Sequence, residues 1–70
     1  MLRLRVKEVA KEKGIGMAKL SRIADVSYKT IQVIWHDPYH DTSFEILDRI
    51  AKALDVPTIA LLEDGPGPDQ

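Results

Sequence analysis

Cysteine is absent from the 70 residues, which excludes disulfides, thiolate metal ligands and a cysteine nucleophile. No apolar run approaches the ~20 residues that a membrane-spanning helix needs. The opening stretch MLRLRVKEVAKEK is too charged for the apolar centre of a secretory signal. Glycine-rich phosphate loops and HExxH metal motifs are missing too. Ser21, Ser27 and Ser43 read as helix surface or caps, and the carboxylates of the second half scatter over helix surfaces. No catalytic constellation, cofactor or metal site is therefore expected. Seventy residues make one small core, here expected to be a soluble, cytoplasmic, non-enzymatic domain with no membrane partner.

What is present is a divided charge. The net charge is only −1, but residues 1–36 carry eight Lys/Arg against three acids, a net of +5. Residues 37–70 carry two against eight, a net of −6. Such asymmetry is a sequence-level sign of a polyanion-binding face. The competing reading is that helix surfaces are charged for solubility alone.

Hydrophobic spacing predicts helices almost throughout. MLRL can be extended, with Leu2, Leu4 and Val6 alternating with arginines. Helical spacing takes over at Val6, Val9 and Ala10, giving a first helix from about Arg5 to Lys13 that Gly14 stops. Gly16 caps a second, Met17 to about Ala24, burying Leu20, Ile23 and Ala24. Asp25 sits in the following turn, where left-handed geometry is expected. Val26 plugs that turn and Ser27 caps a third helix running to about Trp35. Pro38 makes HDPYHDT a loop. Thr42-Ser43-Phe44-Glu45 has the form of a capping box ahead of a fourth helix, about Ser43 to Leu54, with a core face of Phe44, Leu47, Ile50, Ala51 and Leu54. A fifth, short helix is expected from Pro57 to about Glu63, contributing Ile59, Leu61 and Leu62. Residues 1–64 then form the domain, and the tail 65–70 is expected to be disordered. The predicted architecture is all-α with five helices.

The third helix has two faces. Ile31, Ile34 and Trp35 make a buried stripe, with Tyr28, Lys29 and Gln32 roughly opposite. Two short helices joined by a tight turn, the second with a polar outer face, form the helix-turn-helix pattern.

The chain resembles the XRE family, the helix-turn-helix repressors similar to phage Cro and lambda repressor. The likeness lies in VKEVAKEKGI, in LSRIADVSYKTIQVI and in SFEILDRIAKALDVPTIALL. The run W-x-x-P-Y after the third helix is similar to small single-domain members. The resemblance implies a compact five-helix domain that binds double-stranded DNA, usually as a transcriptional repressor and often as a dimer. It places Tyr28, Lys29, Thr30, Gln32 and Val33 where the family reaches bases or adjacent phosphates. Lys29 suits guanine O6 or N7, Gln32 suits adenine, and Val33 a thymine methyl. Met17 and Ser27, at helix starts, and Ser43 and Phe44, at the start of the fourth, fall where phosphates approach. Three positions depart from the pattern. Met17 replaces a common Gln, Asp25 a common Gly, and Val33 a residue often polar or basic.

Arg5 and Lys13 bracket the first helix and are the expected additional phosphate contacts, whereas Arg3 and Lys7 read as solvated surface. Trp35 lies on the buried stripe and is expected to be core. His36 and His40 have the spacing of a zinc pair, but Pro38 lies between them and no third ligand is obvious beyond Asp37 or Asp41, so they read as exposed loop or, failing that, as phosphate contacts. A weak homodimer is expected, through the last helix rather than the Leu2/Leu4 strand. The rival reading keeps the fold but makes it a protein-interaction module, an antitoxin bound to its toxin or an adaptor, working through the acidic half or the apolar surface of the last helix.

Overall fold

The computed structural model describes residues 2–65. A strand β1 (Leu2–Leu4) leads into α1 (Val6–Glu12), α2 (Met17–Ala24), α3 (Tyr28–His36) and α4 (Phe44–Leu54). A 3-10 turn (Thr58–Leu61) and a second strand, β2 (Leu62–Asp64), follow. Of the expected tail, only Gly65 is among the described residues.

Three of the four α-helices end in the same way. Gly14 (φ 71), Asp25 (φ 56) and Asp55 (φ 58) adopt left-handed geometry. The next residue's N–H then reaches back to an earlier carbonyl: Ile15 to Ala10 at 2.9 Å, Val26 to Ser21 at 3.2 Å and Val56 to Ala51 at 3.0 Å. This is the Schellman closure, which satisfies a terminal carbonyl and folds an apolar residue back over the helix end. Val26 is buried, and Ile15 and Val56 pack against the core. Each closure turns the chain sharply enough for consecutive short helices to share one core.

That core takes Val6, Val9 and Ala10 from α1, Leu20 and Ala24 from α2, and Ile31, Ile34 and Trp35 from α3. Leu47, Ile50, Ala51 and Leu54 of α4 complete it, with Leu4 and Leu61 from the two chain ends. Trp35 is only 8% exposed, in keeping with its place on the apolar stripe.

The five-helix expectation fails at the end of the chain. Among the described residues four α-helices form, and the expected fifth is a single 3-10 turn that runs directly into β2. Pro57 is extended (φ −68, ψ 151) and Leu62 likewise (φ −123, ψ 144), leaving too few residues between them for a stable α-helix. The N-terminal strand offers a better partner. β1 and β2 pair antiparallel, Leu2 opposite Asp64, Arg3 opposite Glu63 and Leu4 opposite Leu62. So short a ribbon is marginal alone, but here it is tied down. The Arg5 N–H donates to Leu61 O at 2.7 Å and the Leu4 N–H to Pro38 O at 2.7 Å. Arg3 donates from Nη1 to Glu8 of α1 and, at 2.7 Å, to Glu63 of β2.

Two apolar side chains assigned to the core lie outside it: Phe44 is 73% exposed and Ile23 45%. Ile59, expected to be partly exposed, is 77% exposed. Phe44 instead borders a groove of about 570 Å³ floored by Leu2, Leu4, Leu47 and Leu62. It is the first residue of α4, nearly a full turn before Leu47, so it shares the helical period of the core face but lies beyond its end. The cap there is also simpler than a capping box: the Ser43 hydroxyl accepts from the Ile46 N–H at 3.1 Å.

Candidate nucleic-acid interface

The α2–α3 corner is built from its turn outward. Asp25 closes α2 in left-handed geometry, and Val26 is held by one serine at both its polar groups. Its N–H donates to Ser21 O at 3.2 Å, while Ser21 Oγ donates to Val26 O at 2.6 Å. Ser27 then starts α3, its Oγ accepting from the Thr30 N–H at 3.2 Å and donating to Thr30 Oγ1 at 2.8 Å. With Ile31, Ile34 and Trp35 locked in the core, the opposite face of α3 is turned outward by geometry alone.

Tyr28, Lys29 and Gln32 are exposed along that face, Tyr28 by 46%, and Thr30 and Val33 are half-buried at its margins. The first two turns of α3 thus bring an aromatic hydroxyl, an ammonium and an amide together on one convex strip. An α-helix presenting such groups fits the width of a B-DNA major groove.

The residues expected at phosphates are less uniform. Lys13 is exposed where α1 ends. Arg5 is half-buried, and its Nη1 is drawn to Ala60 O at 3.3 Å in the 3-10 turn, which commits part of its donor set inside the fold. Met17 packs its side chain against the core and offers only a backbone N–H from the first turn of α2, where no intrahelical acceptor exists. The hydroxyls of Ser27 and Ser43 serve as caps. Phe44 stands exposed beside Ser43 at the start of α4.

Two features escaped the sequence reading. Arg49 of α4 donates from Nη1 to Asp25 O at 3.1 Å and from Nη2 to Glu45 Oε1 at 3.0 Å, so α4 grips the α2–α3 turn. Only its i, i+4 spacing from Glu45 was a visible signal. Ser21 looked like plain helix surface, and its bond to Val26 is invisible without the turn. Among the described residues, no three His, Cys, Asp or Glu side chains are grouped to hold a metal, and no helix is long and apolar enough to cross a membrane.

Comparison with known proteins agrees with this geometry. The model of the Cro/C1-type helix-turn-helix DNA-binding domain matches residues 5–64, and the chain belongs to that family. Its fold is similar to the N-terminal DNA-binding domain of SinR from Bacillus subtilis, with TM-score 0.77 and 27% identity over 90% of this chain and 91% of that one. It is likewise similar to SinR, a master regulator for biofilm formation, in complex with DNA, with TM-score 0.72 and 28% identity over 77% of this chain and 86% of that one. Against the complex of SinR with SinI, the TM-score is 0.78 and the identity 28% over 86% of this chain, which spans 58% of the chain matched there. No curated protein matches.

Proposed function

We propose that this chain is a sequence-specific transcriptional regulator, a repressor that acts by occupying an operator with α3 in the major groove. The observation that carries the reading is the outward strip of α3: Tyr28, Lys29 and Gln32 exposed opposite a fully packed apolar stripe. In this reading Lys29 and Gln32 read base edges, Thr30 and Val33 contact bases at the margins, and Tyr28 reaches a base or the adjacent sugar-phosphate. Lys13, the N–H groups at the starts of α2 and α4 and, more weakly, Arg5 set the register on the backbone. Lys29 lies in the first turn of its helix, where a cation opposes the helix dipole. Such a placement is unfavourable for the free protein and useful to one that meets a polyanion. That the similar SinR chain forms a complex with DNA supports a DNA partner for this one.

Selection from a random duplex pool tests the reading. One short motif should be enriched, and its binding should weaken steeply with salt. Recovery of no motif, or binding indifferent to salt, would defeat it.

A further inference from the structure

We propose that Arg49 is a positioning residue for DNA recognition: it fastens the α2–α3 turn to the first turn of α4 and so sets the pose of α3. The inference rests on the DNA-binding reading above. Asp25 ends α2 at φ 56, ψ 46, a conformation that disfavours every residue with a Cβ. A turn built on aspartate rather than glycine needs support from outside itself.

Ser21 supplies part of that support by holding both polar groups of Val26. Arg49 supplies the rest from another helix. Its Nη1 lies 3.1 Å from the Asp25 carbonyl oxygen and 3.9 Å from Asp25 Oδ2, while its Nη2 lies 3.0 Å from Glu45 Oε1. The Asp25 carbonyl stands at the negative end of α2, and Glu45 sits on the positive end of α4. One guanidinium therefore joins the tail of the first helix of the motif to the head of the helix that follows the motif. The planar fork is what allows this, since each nitrogen faces a different acceptor. A lysine ammonium, a single point charge, cannot hold the same two directions.

Arg49 is about half exposed, and as a bare i, i+4 pair with Glu45 it would matter little. Its bond to the carbonyl of the left-handed residue is what sets it apart. Both neighbouring carboxylates face its guanidinium, so its charge is already balanced within the fold rather than reserved for a phosphate.

The test uses the best duplex recovered by the wild-type chain, titrated across salt with wild type, Arg49→Ala and Arg49→Lys, each also combined with D25G. Amide exchange at Val26 is followed in the free proteins. Both Arg49 variants should weaken binding about three- to tenfold, the scale of one ordinary hydrogen bond at a half-exposed site, with the slope of log affinity against log salt unchanged. Exchange at Val26 should rise in both. Combined with D25G, the loss should largely vanish, because glycine holds the left-handed turn unaided. A phosphate contact would behave differently, with Arg49→Lys close to wild type and the salt slope of Arg49→Ala lower by about one. That result overturns the proposal, as does unchanged affinity and exchange in Arg49→Ala. If the wild-type chain binds no duplex, the DNA-binding reading itself falls and takes this role with it. Exchange at Val26 would then still report whether Arg49 holds the turn.

Discussion

Lys29 and Trp35 stand on opposite faces of one helix, and the same substitution should separate their roles. Lys29→Ala should weaken specific DNA binding while leaving the helical signal and melting point nearly unchanged, since a good base contact is worth roughly 1–3 kcal/mol of discrimination. Unaltered affinity on the best duplex would remove Lys29 from the bases. Trp35→Ala should act through stability, because truncating a buried large aromatic costs about 3–5 kcal/mol. That is a large share for a domain of this size, at roughly 0.05–0.15 kcal/mol per residue. A variant that melts like the parent yet loses DNA binding would make Trp35 a contact residue. The two faces of α3 were legible in the sequence because a 3.6-residue period separates them cleanly. Phe44 and Ile23 were not, since an apolar residue near a helix end satisfies the period without facing the core. Arg49 was illegible for a different reason: its acceptor is a carbonyl 24 positions away, which no local pattern announces.

At the scale of elements, the four α-helices and their turns followed from caps and spacing, with boundaries within a residue of those expected. The extended reading of MLRL matches β1 (Leu2–Leu4), but the end of the chain and the pairing did not follow. The strand's partner is 60 positions distant, so β1–β2 pairing is decided by tertiary contacts. Arg3 makes the clasp, bridging Glu8 of α1 and Glu63 of β2, where the sequence suggested only solvated surface. Hydrogen bonds to Glu8 and then Glu63 raise the Arg3 pKa. Partial burial pushes the Glu8 carboxyl up, but the Arg3 hydrogen bond, a backbone amide and the charges of Arg3 and Arg5 together outweigh it, leaving Glu8 below the ordinary value of 4.5. A carboxylate depressed in the folded state stabilises it above the unfolded-state pKa and loses that contribution as pH falls through the folded value. Thermal melts from pH 6 down to about pH 3 should therefore show wild-type stability declining below about pH 4.5, with a shallower decline for Glu8→Gln. Parallel curves for the two proteins would show that the clasp adds nothing.

Across the whole molecule, the charge division survives folding. Arg3 is engaged with Glu8 and Glu63, while Arg49 and Lys52 pair with acids of the second half. Lys7 and Lys11 remain exposed on α1, Lys13 just past its end, and Lys19, Arg22 and Lys29 on α2 and α3, the two helices of the helix-turn-helix. One recognition helix covers only a few base pairs, too little to single out a genomic site, so two copies on a palindrome are the expected assembly. The surface favoured for it from sequence was an α-helix bearing Ile59 and Leu62. The 3-10 turn replaces that helix, half-burying Leu62 and leaving Ile59 outward. Pairing of β1 across a two-fold axis is disfavoured further, because β2 takes one edge and Pro38 O already accepts from Leu4 on the other. The expectation is a weak homodimer whose operator half-sites lie about one helical turn apart, roughly 10 base pairs centre to centre. In sedimentation at high micromolar concentration, wild type should self-associate weakly alone and bind the palindromic duplex as two copies. Ile59→Glu should melt like the parent but lose the second copy at matched concentrations. A strict monomer in both conditions, protecting a single half-site, would overturn the dimer.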